Sequence, residues 1–206
     1  MNKTVTKNGN LVELVMPVSG KFEVLVIGVF HGEEPQGKYL IDKYLSENND
    51  TKLGFIPVLN PDGFLIGQRV NANDVDLNRN YPTKNWELTE KNEFWGGPVP
   101  ASEIETRFVV DVIERCNPKL ILTLHAPFKI VNYDGPAKVF AERISEIVGY
   151  PVQGDIGYPT PGSFGTYAGV ERGIPTVTLE LDEECDIEDL VHPVFNVFKY
   201  LETLIL

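Results

Sequence analysis

Two histidines and a glutamate lie where two predicted core strands end. His31 and Glu34 follow the apolar run of residues 23–30, and His125 follows the run of residues 120–124. Because ligands gather beyond the carboxyl ends of strands in an open α/β sheet, the three side chains can converge on one crevice. Two imidazoles and one carboxylate leave zinc an open fourth position, as in catalytic sites. The sequence therefore predicts one bound Zn²⁺ ion, although an H-x-x-E spacing also arises by chance.

Glu180 is a second candidate for chemistry, because it lies inside the apolar strand predicted for residues 175–182. A carboxylate among apolar neighbours is either the buried partner of an arginine or a general base whose pKa is raised by burial. Water that attacks an amide needs a proton acceptor, and a glutamate opposite the metal supplies one. Both interpretations remain open from the sequence.

The loop that begins at Arg69 holds two arginines close together in the sequence, the second of them in the pair Asn78-Arg79. Guanidinium groups bind carboxylates through two parallel hydrogen bonds and also stabilise an oxyanion. One arginine could therefore polarise a scissile carbonyl while another anchors a substrate carboxylate. The alternative is that Arg79 only pairs with Asp76 or Glu180.

Three further polar residues have less specific interpretations. Asp62 and Asp76 could each orient a histidine ligand, and the sequence does not assign the pairing. His192 lies in the C-terminal helix ahead of a proline, and we predict that it is a partly exposed helix residue.

The elements that must position these residues alternate between apolar runs and helical periods, which is typical of an α/β fold with a largely parallel sheet. A hairpin turn is predicted at Asn8-Gly9, and Ser102 is predicted to cap a helix with Glu105 completing a capping box. We expect one domain over residues 1–206. Strands are predicted at residues 23–30, 52–60, 119–125 and 175–182, and helices at residues 35–48, 101–117, 136–149 and 187–205.

The composition argues against several classes of partner. The chain has 18 Lys and Arg against 30 Asp and Glu, a net charge of −12, whereas nucleic acid and anionic membranes need a clustered basic surface. No apolar run approaches the roughly 20 residues that span a bilayer. The first ten residues lack the plan of a signal peptide and only two cysteines occur, so we expect a cytoplasmic protein with both thiols reduced.

Taken together, five segments resemble the zinc metallocarboxypeptidase family over residues 23–182. They are H-G-E-E at 31–34, N-P-D-G at 60–63, V-D-L-N-R-N at 75–80, L-H at 124–125 and T-L-E at 178–180. The resemblance implies an α/β/α sandwich around a mixed sheet. The site roles that it implies are zinc ligands for His31, Glu34 and His125, general base for Glu180, oxyanion stabiliser for Arg69, carboxylate grip for Asn78 and Arg79, a closing tyrosine for Tyr158 and a pocket-lining aromatic for Phe164.

Residues 69–86 and 156–169 are similar to bacterial amidases of this family that cut the γ-D-glutamyl bond to meso-diaminopimelate in recycled cell-wall peptides. The resemblance implies a murein tripeptide as substrate. The rivals are a deacylase of N-acyl amino acids of the succinylglutamate desuccinylase or aspartoacylase kind, an ordinary carboxypeptidase, and a binding module without activity. The N-P-D-G and G-S-F-G segments favour a peptidase over the deacylase.

Two positions qualify the resemblance. Asp74 replaces a glycine that commonly precedes V-D-L-N-R-N, and aspartate tolerates a left-handed backbone better than most residues do. Phe164 offers no charge to the zwitterionic end of diaminopimelate, so the groups that would read that end stay unassigned.

Overall fold

The structure is a computed structural model that describes residues 1–155 and 157–205. Its elements follow the alternation expected from the sequence. The strands are β1 (Lys3–Val5), β2 (Leu11–Glu13), β3 (Val24–Ile27), β4 (Gly54–Ile56), β5 (Leu120–His125), β6 (Ile130–Asp134), β7 (Val152–Gln153) and β8 (Thr176–Glu180). The helices are α1 (Gln36–Glu47), α2 (Pro61–Ile66), α3 (Ile104–Cys116), α4 (Lys138–Val148) and α5 (Ile187–Thr203).

Among the described residues, six strands form the central sheet in the order β4-β3-β5-β8-β6-β7. Strands β4, β3, β5 and β8 are parallel, whereas β6 runs antiparallel to β8 and parallel to β7. The expected α/β fold with a mixed, largely parallel sheet is confirmed. The predicted hairpin at Asn8-Gly9 is also present, because β1 and β2 pair antiparallel and Gly9 takes a φ of 86°.

Side-chain alternation along the strands divides the core into two layers. Val24 and Val26 of β3 pack on the face covered by α1, α4 and α5. Leu25 and Ile27 of the same strand pack on the opposite face with α3 and the N-terminal hairpin. Successive strand residues point to opposite faces, so an apolar run without alternation requires a sheet that is covered on both sides.

Pro61, Asp62 and Gly63 are residue types that favour turns, but in the structure they begin helix α2. The Asn60 side chain accepts a hydrogen bond from the Gly63 N–H at 2.9 Å, and Pro61 occupies the first helical turn. Both features are standard at a helix N-terminus, so the same turn-forming residues begin a short helix instead.

The predicted capping box of α3 is wrong. Asn80 donates a hydrogen bond to the Ser102 hydroxyl at 2.9 Å, and that hydroxyl donates to Glu103 at 2.7 Å. Ser102 is thereby engaged away from the helix. The helix begins one residue later than the box requires, with Glu103 at the cap position and no side-chain cap.

Other expectations from the sequence can be compared with the structure. No helix in the described part of the chain is both long and apolar enough to cross a membrane. Cys116 and Cys185 are free thiols, and His192 is exposed on α5, as predicted.

Burial of Glu105 makes the stability of the fold depend on pH. Its side chain is 2% exposed, and Asn71 Nδ2 donates to it at 3.3 Å. Burial raises its pKa from 4.5 to about 7, and the neighbouring Glu103 adds to the rise. The folded protein therefore keeps a proton between about pH 4.5 and pH 7 that the unfolded chain has lost.

Stability should fall as the pH rises through this window, and Glu105→Gln should abolish that part of the fall. By pH 8 the free energy of unfolding of the parent should have fallen by at most about 3 kcal/mol more than that of the variant. Urea unfolding from pH 5 to pH 8 measures it, and Glu87→Gln at an exposed position serves as the control. Parallel stability curves for Glu105→Gln and the parent would contradict the assignment.

Candidate active site

His31, Glu34 and His125 form a buried cluster at the carboxyl ends of β3 and β5. Glu34 Oε1 lies 2.7 Å from His31 Nδ1, and Glu34 Oε2 lies 3.0 Å from His125 Nδ1. One donor atom from each residue lies within 4.8 Å of the others. The structure thus brings together the three side chains that the sequence proposed as metal ligands.

Close backbone packing fixes the segment that carries His31. Val29 has a φ of 52°, which is rare for a β-branched residue, and its carbonyl accepts from the Asn60 N–H at 2.9 Å. A Cβ on Gly32 would lie 2.0 Å from the carbonyl carbon of Gly63. The H-G-E-E and N-P-D-G segments therefore pack directly against each other, and this close approach requires glycine at position 32.

Asp76 connects the metal cluster to the arginine loop. Its Oδ1 lies 3.2 Å from His31 Nε2 and accepts from the Asn78 N–H at 2.8 Å. Its Oδ2 accepts from Arg69 Nε at 3.0 Å and Nη2 at 2.9 Å. A carboxylate at Nε2 fixes the histidine so that Nδ1 faces Glu34, which is the usual support for a ligating imidazole.

Asp62, the other aspartate considered from the sequence, has a different role. It accepts hydrogen bonds from Thr6 Oγ1 at 2.8 Å and Asn10 Nδ2 at 2.6 Å. Asp62 therefore attaches the N-terminal hairpin to the start of α2. Asp76 is the aspartate that contacts a histidine of the cluster.

The charges around the cluster favour a cation at its centre. Desolvation alone would lower the pKa of His31, but Glu34 and Asp76 outweigh it and raise that pKa to about 9. Burial would raise the pKa of Glu34, yet His31 and His125 lower it to about 2. Two imidazole nitrogens and a carboxylate that stays ionised are a donor set that fits Zn²⁺.

Glu180 lies beside His125 across the β5–β8 pair. Its Oε2 is buried and has no hydrogen-bond partner among the described residues. Burial raises the pKa of Glu180 to about 8, and the charge of Glu34 adds to the rise. The alternative of an ion pair does not occur within the described chain, because Arg69 pairs with Asp76 and no described carboxylate reaches Arg79.

The loop that carries Asn78 and Arg79 is held in place from both sides. Asp74 takes the left-handed conformation expected of it, with a φ of 61°. Asn78 Oδ1 accepts from the Phe164 N–H at 2.9 Å, and Arg79 Nη1 donates to the Asn78 carbonyl at 2.8 Å. Phe164 is 2% exposed and packs against Phe30 with ring centroids 5.4 Å apart.

All residues proposed for the site line one cavity of about 830 Å³. Tyr158 lines the same cavity and is 46% exposed. The cavity also contains residues that the sequence analysis missed, including Asn132 and Asp134 of β6. The alternation of polar and apolar residues in V-N-Y-D at 131–134 was the available signal. The predicted residues that the cavity brings together are His31, Glu34, Arg69, Asn78, Arg79, His125, Tyr158, Phe164 and Glu180.

Comparison with known families bears directly on this arrangement. The family described as zinc carboxypeptidase matches residues 5–141, which is more than half of the chain. The chain belongs to the zinc carboxypeptidase family. The resemblance stated from the sequence motifs is thereby confirmed, and zinc is the expected metal of the His31, Glu34 and His125 cluster.

Relatives and solved structures agree with the family match. Murein peptide amidase A of Vibrio campbellii is 34% identical over 136 residues, covering 60% of this chain and 54% of that protein. The protein of the same name from Escherichia coli K12 is 30% identical over 165 residues, covering 73% of this chain and 68% of that protein. The structure of murein-tripeptide amidase from Escherichia coli O157 has a TM-score of 0.85 at 23% identity, over 96% of this chain and 89% of that one. At 23% identity, this structural similarity supports the fold alone.

The family match ends at residue 141, so Glu180, Tyr158 and Phe164 lie beyond it. Their place in the site follows from geometry, because the cavity joins them to the matched residues.

Replacing Asp76 with asparagine should weaken zinc binding by about 10- to 100-fold. The amide would present an N–H where Arg69 or His31 now meets a carboxylate oxygen, and the orientation of His31 would loosen. Competition with a chromophoric chelator measures the affinity. Asp74→Asn is the matched control, because Asp74 is exposed and its one ion-pair partner among the described residues is Lys91. Equal zinc affinity in Asp76→Asn and the parent would rule out this role.

Proposed function

We propose that the chain is a zinc-dependent hydrolase that cuts an amide bond next to a free carboxylate. The observation that carries the proposal is the buried Oε2 of Glu180, which has no hydrogen-bond partner among the described residues and lies beside the cluster of His31, Glu34 and His125. Burying a carboxylate oxygen without a partner is costly, and such perturbed groups in a cleft are found most often at functional sites.

Under this proposal His31, Glu34 and His125 hold Zn²⁺, which when bound polarises the substrate carbonyl and lowers the pKa of water. Glu180 accepts a proton from the attacking water and later donates it to the leaving amine. Burial suits Glu180 to both steps, because it keeps the pKa above the usual range of a carboxyl group.

Arg69 and Arg79 have different roles in this proposal. Arg69 is oriented by Asp76 at the metal end and stabilises the negative charge that develops on the carbonyl oxygen. Arg79, supported by Asn78, binds the free carboxylate of the leaving residue and is not neutralised by a described acid. Tyr158 at the rim closes over the bound substrate. Cleavage is thereby restricted to the bond next to that carboxylate.

We further propose a murein peptide as the substrate, with hydrolysis of the γ-D-glutamyl–meso-diaminopimelate bond in cell-wall recycling. Two relatives named murein peptide amidase A support this choice. Residues 1–206 would act as one catalytic domain in the cytoplasm, where recycled peptides are found.

Replacing Glu180 with glutamine should remove nearly all turnover and leave zinc bound. Glutamine keeps the shape of the side chain but cannot accept the proton, so a loss of at least about 100-fold in kcat is expected. Metal content measured by atomic emission separates loss of the base from loss of the ion. Glu183→Gln, which removes an exposed carboxylate from the same cavity, should retain activity. Substantial activity in Glu180→Gln would sink the mechanism.

The substrate is tested by mass spectrometry of zinc-loaded protein with three compounds in parallel. L-Ala-γ-D-Glu-meso-diaminopimelate should be cleaved faster than an ordinary acyl dipeptide with a C-terminal apolar residue. An N-acyl amino acid, whose one amide bond joins a simple acyl group to the amino acid, should be the poorest substrate. Turnover of the N-acyl amino acid alone would replace the proposal with a deacylase, and no turnover of any compound would indicate a binding module.

A further inference from the structure

The chain between β5 and β6 crosses the end of the strand that carries Glu180. Strand β8 lies between β5 and β6 in the sheet, so residues 126–129 must pass over its carboxyl end to join those two strands. We call residues 126–129 the crossing segment. His125 pairs with Glu180 on one side of β8, and Ile130 pairs with it on the other. Glu180 therefore lies at the point where the crossing segment passes.

The crossing segment acts on the carboxylate of Glu180 through its backbone. Burial raises the pKa of Glu180, and the Phe128 N–H partly offsets that rise because it favours the ionised carboxylate. Pro127 and Phe128 also line the cavity that contains Glu180. The path of the crossing segment therefore decides which groups face this carboxylate.

Lys129, the last residue of the crossing segment, has a backbone conformation that its residue type disfavours. Its φ is 54°, in the left-handed region that favours glycine. A residue with a Cβ keeps such a conformation only where the surrounding structure holds it there. A contact that holds Lys129 consequently also fixes the path by which the segment enters β6.

An ion pair joins Lys129 to the chain that follows Glu180. Lys129 Nζ lies 2.8 Å from Asp182 Oδ2, and the side chain of Asp182 is only 16% exposed. The other carboxylate oxygen, Asp182 Oδ1, accepts from the Glu184 N–H at 3.0 Å. Asp182 is thus oriented by its own loop and presents a fixed anion to Lys129.

The residues after Glu180 are attached to both ends of the crossing segment. The Leu181 N–H donates to the His125 carbonyl at 2.7 Å, just before the segment begins, and Asp182 binds Lys129 where it ends. Ion pairs with exposed partners contribute little to folding stability. The importance of this pair therefore lies in the position that it gives to the segment over Glu180.

We infer that Lys129 and Asp182 are positioning residues for Glu180. Their ion pair holds the crossing segment over the carboxylate and keeps it directed at the water that it activates. The inference rests on the proposed function, in which Glu180 is the general base. Neither Lys129 nor Asp182 is among the described residues that line the cavity, so loss of the pair should slow the chemical step and leave substrate binding unchanged.

The test measures kcat and KM of zinc-loaded Lys129→Met and Asp182→Asn with L-Ala-γ-D-Glu-meso-diaminopimelate. Methionine keeps the length of lysine without its charge, and asparagine keeps an oxygen for the Glu184 N–H. Each replacement should lower kcat about 3- to 10-fold and change KM by less than about twofold, because a slightly misplaced catalytic group slows the chemical step. The double variant should lose no more than either single variant, since both remove one interaction. Lys129→Arg, which keeps the charge, should retain most of the parent's kcat.

Hydrogen exchange followed by mass spectrometry gives a second readout that does not depend on activity. The amides of residues 126–130 should exchange faster in Lys129→Met and Asp182→Asn than in the parent, because the segment opens more often. Lys138→Met is the matched control, since it breaks an exposed ion pair with Glu142 on α4. This control should leave kcat and the exchange of residues 126–130 unchanged.

The outcomes separate the inference from the proposed function. With an active parent, an unchanged kcat in Lys129→Met and Asp182→Asn would overturn the role of the ion pair and leave the proposed function intact. A rise in KM alone, or a loss of bound zinc, would also overturn that role. Asp182→Asn and Lys129→Arg keep the test decisive if Lys129→Met folds poorly, which thermal unfolding would reveal. No turnover by the parent would instead refute the proposed function, whatever the exchange shows.

Discussion

The buried carboxylate of Asp76 is the constraint on which the candidate site depends. It is fully buried, and it contacts His31, the backbone of Asn78 and the guanidinium of Arg69. An ionised group in the interior is tolerated only when its lone pairs are used. Burial alone would raise the pKa of Asp76, but His31, Arg69 and Arg79 outweigh it and hold that pKa well below its usual range. The metal end and the arginine loop are consequently fixed by one residue and cannot be positioned independently.

Strand direction determines what each part of the cavity can do. The parallel strands β3, β5 and β8 bring the residues that follow or end them to one edge of the sheet, where His125 and Glu180 are direct neighbours. Strand β6 is antiparallel to β8, so it starts beside Glu180 and leads away from that edge to Asp134. Reacting groups therefore gather at the edge, and the face of the sheet behind them is available for recognition.

The sequence was sufficient to predict the core strands, because hydrophobic burial dominates there. The apolar runs before His31 and His125 could only be core strands, and a polar residue at the end of each was conspicuous. It was insufficient where short-range signals compete. Strand β6 has only five residues and partly exposed polar positions, so its period-two pattern is brief. Ser102 has the chemistry of a cap, but the tertiary contact with Asn80 removes it from the helix, and no local pattern indicates that contact.

The charged side chains of the cavity favour one orientation of the proposed substrate. The chain carries a net charge of −12, so the two arginines that line the cavity, Arg69 and Arg79, favour an anionic group there, and Asp76 holds Arg69 in position. Under the proposed function, Arg79 meets the carboxylate of the leaving residue. A substrate bound in the reverse orientation would place an ammonium group against Arg79. Like charges in contact disfavour a complex by several kcal/mol. The arginine that attracts the correct orientation therefore rejects the wrong one, and under the proposed function the amide bond beside the carboxylate is the bond that reaches Glu180.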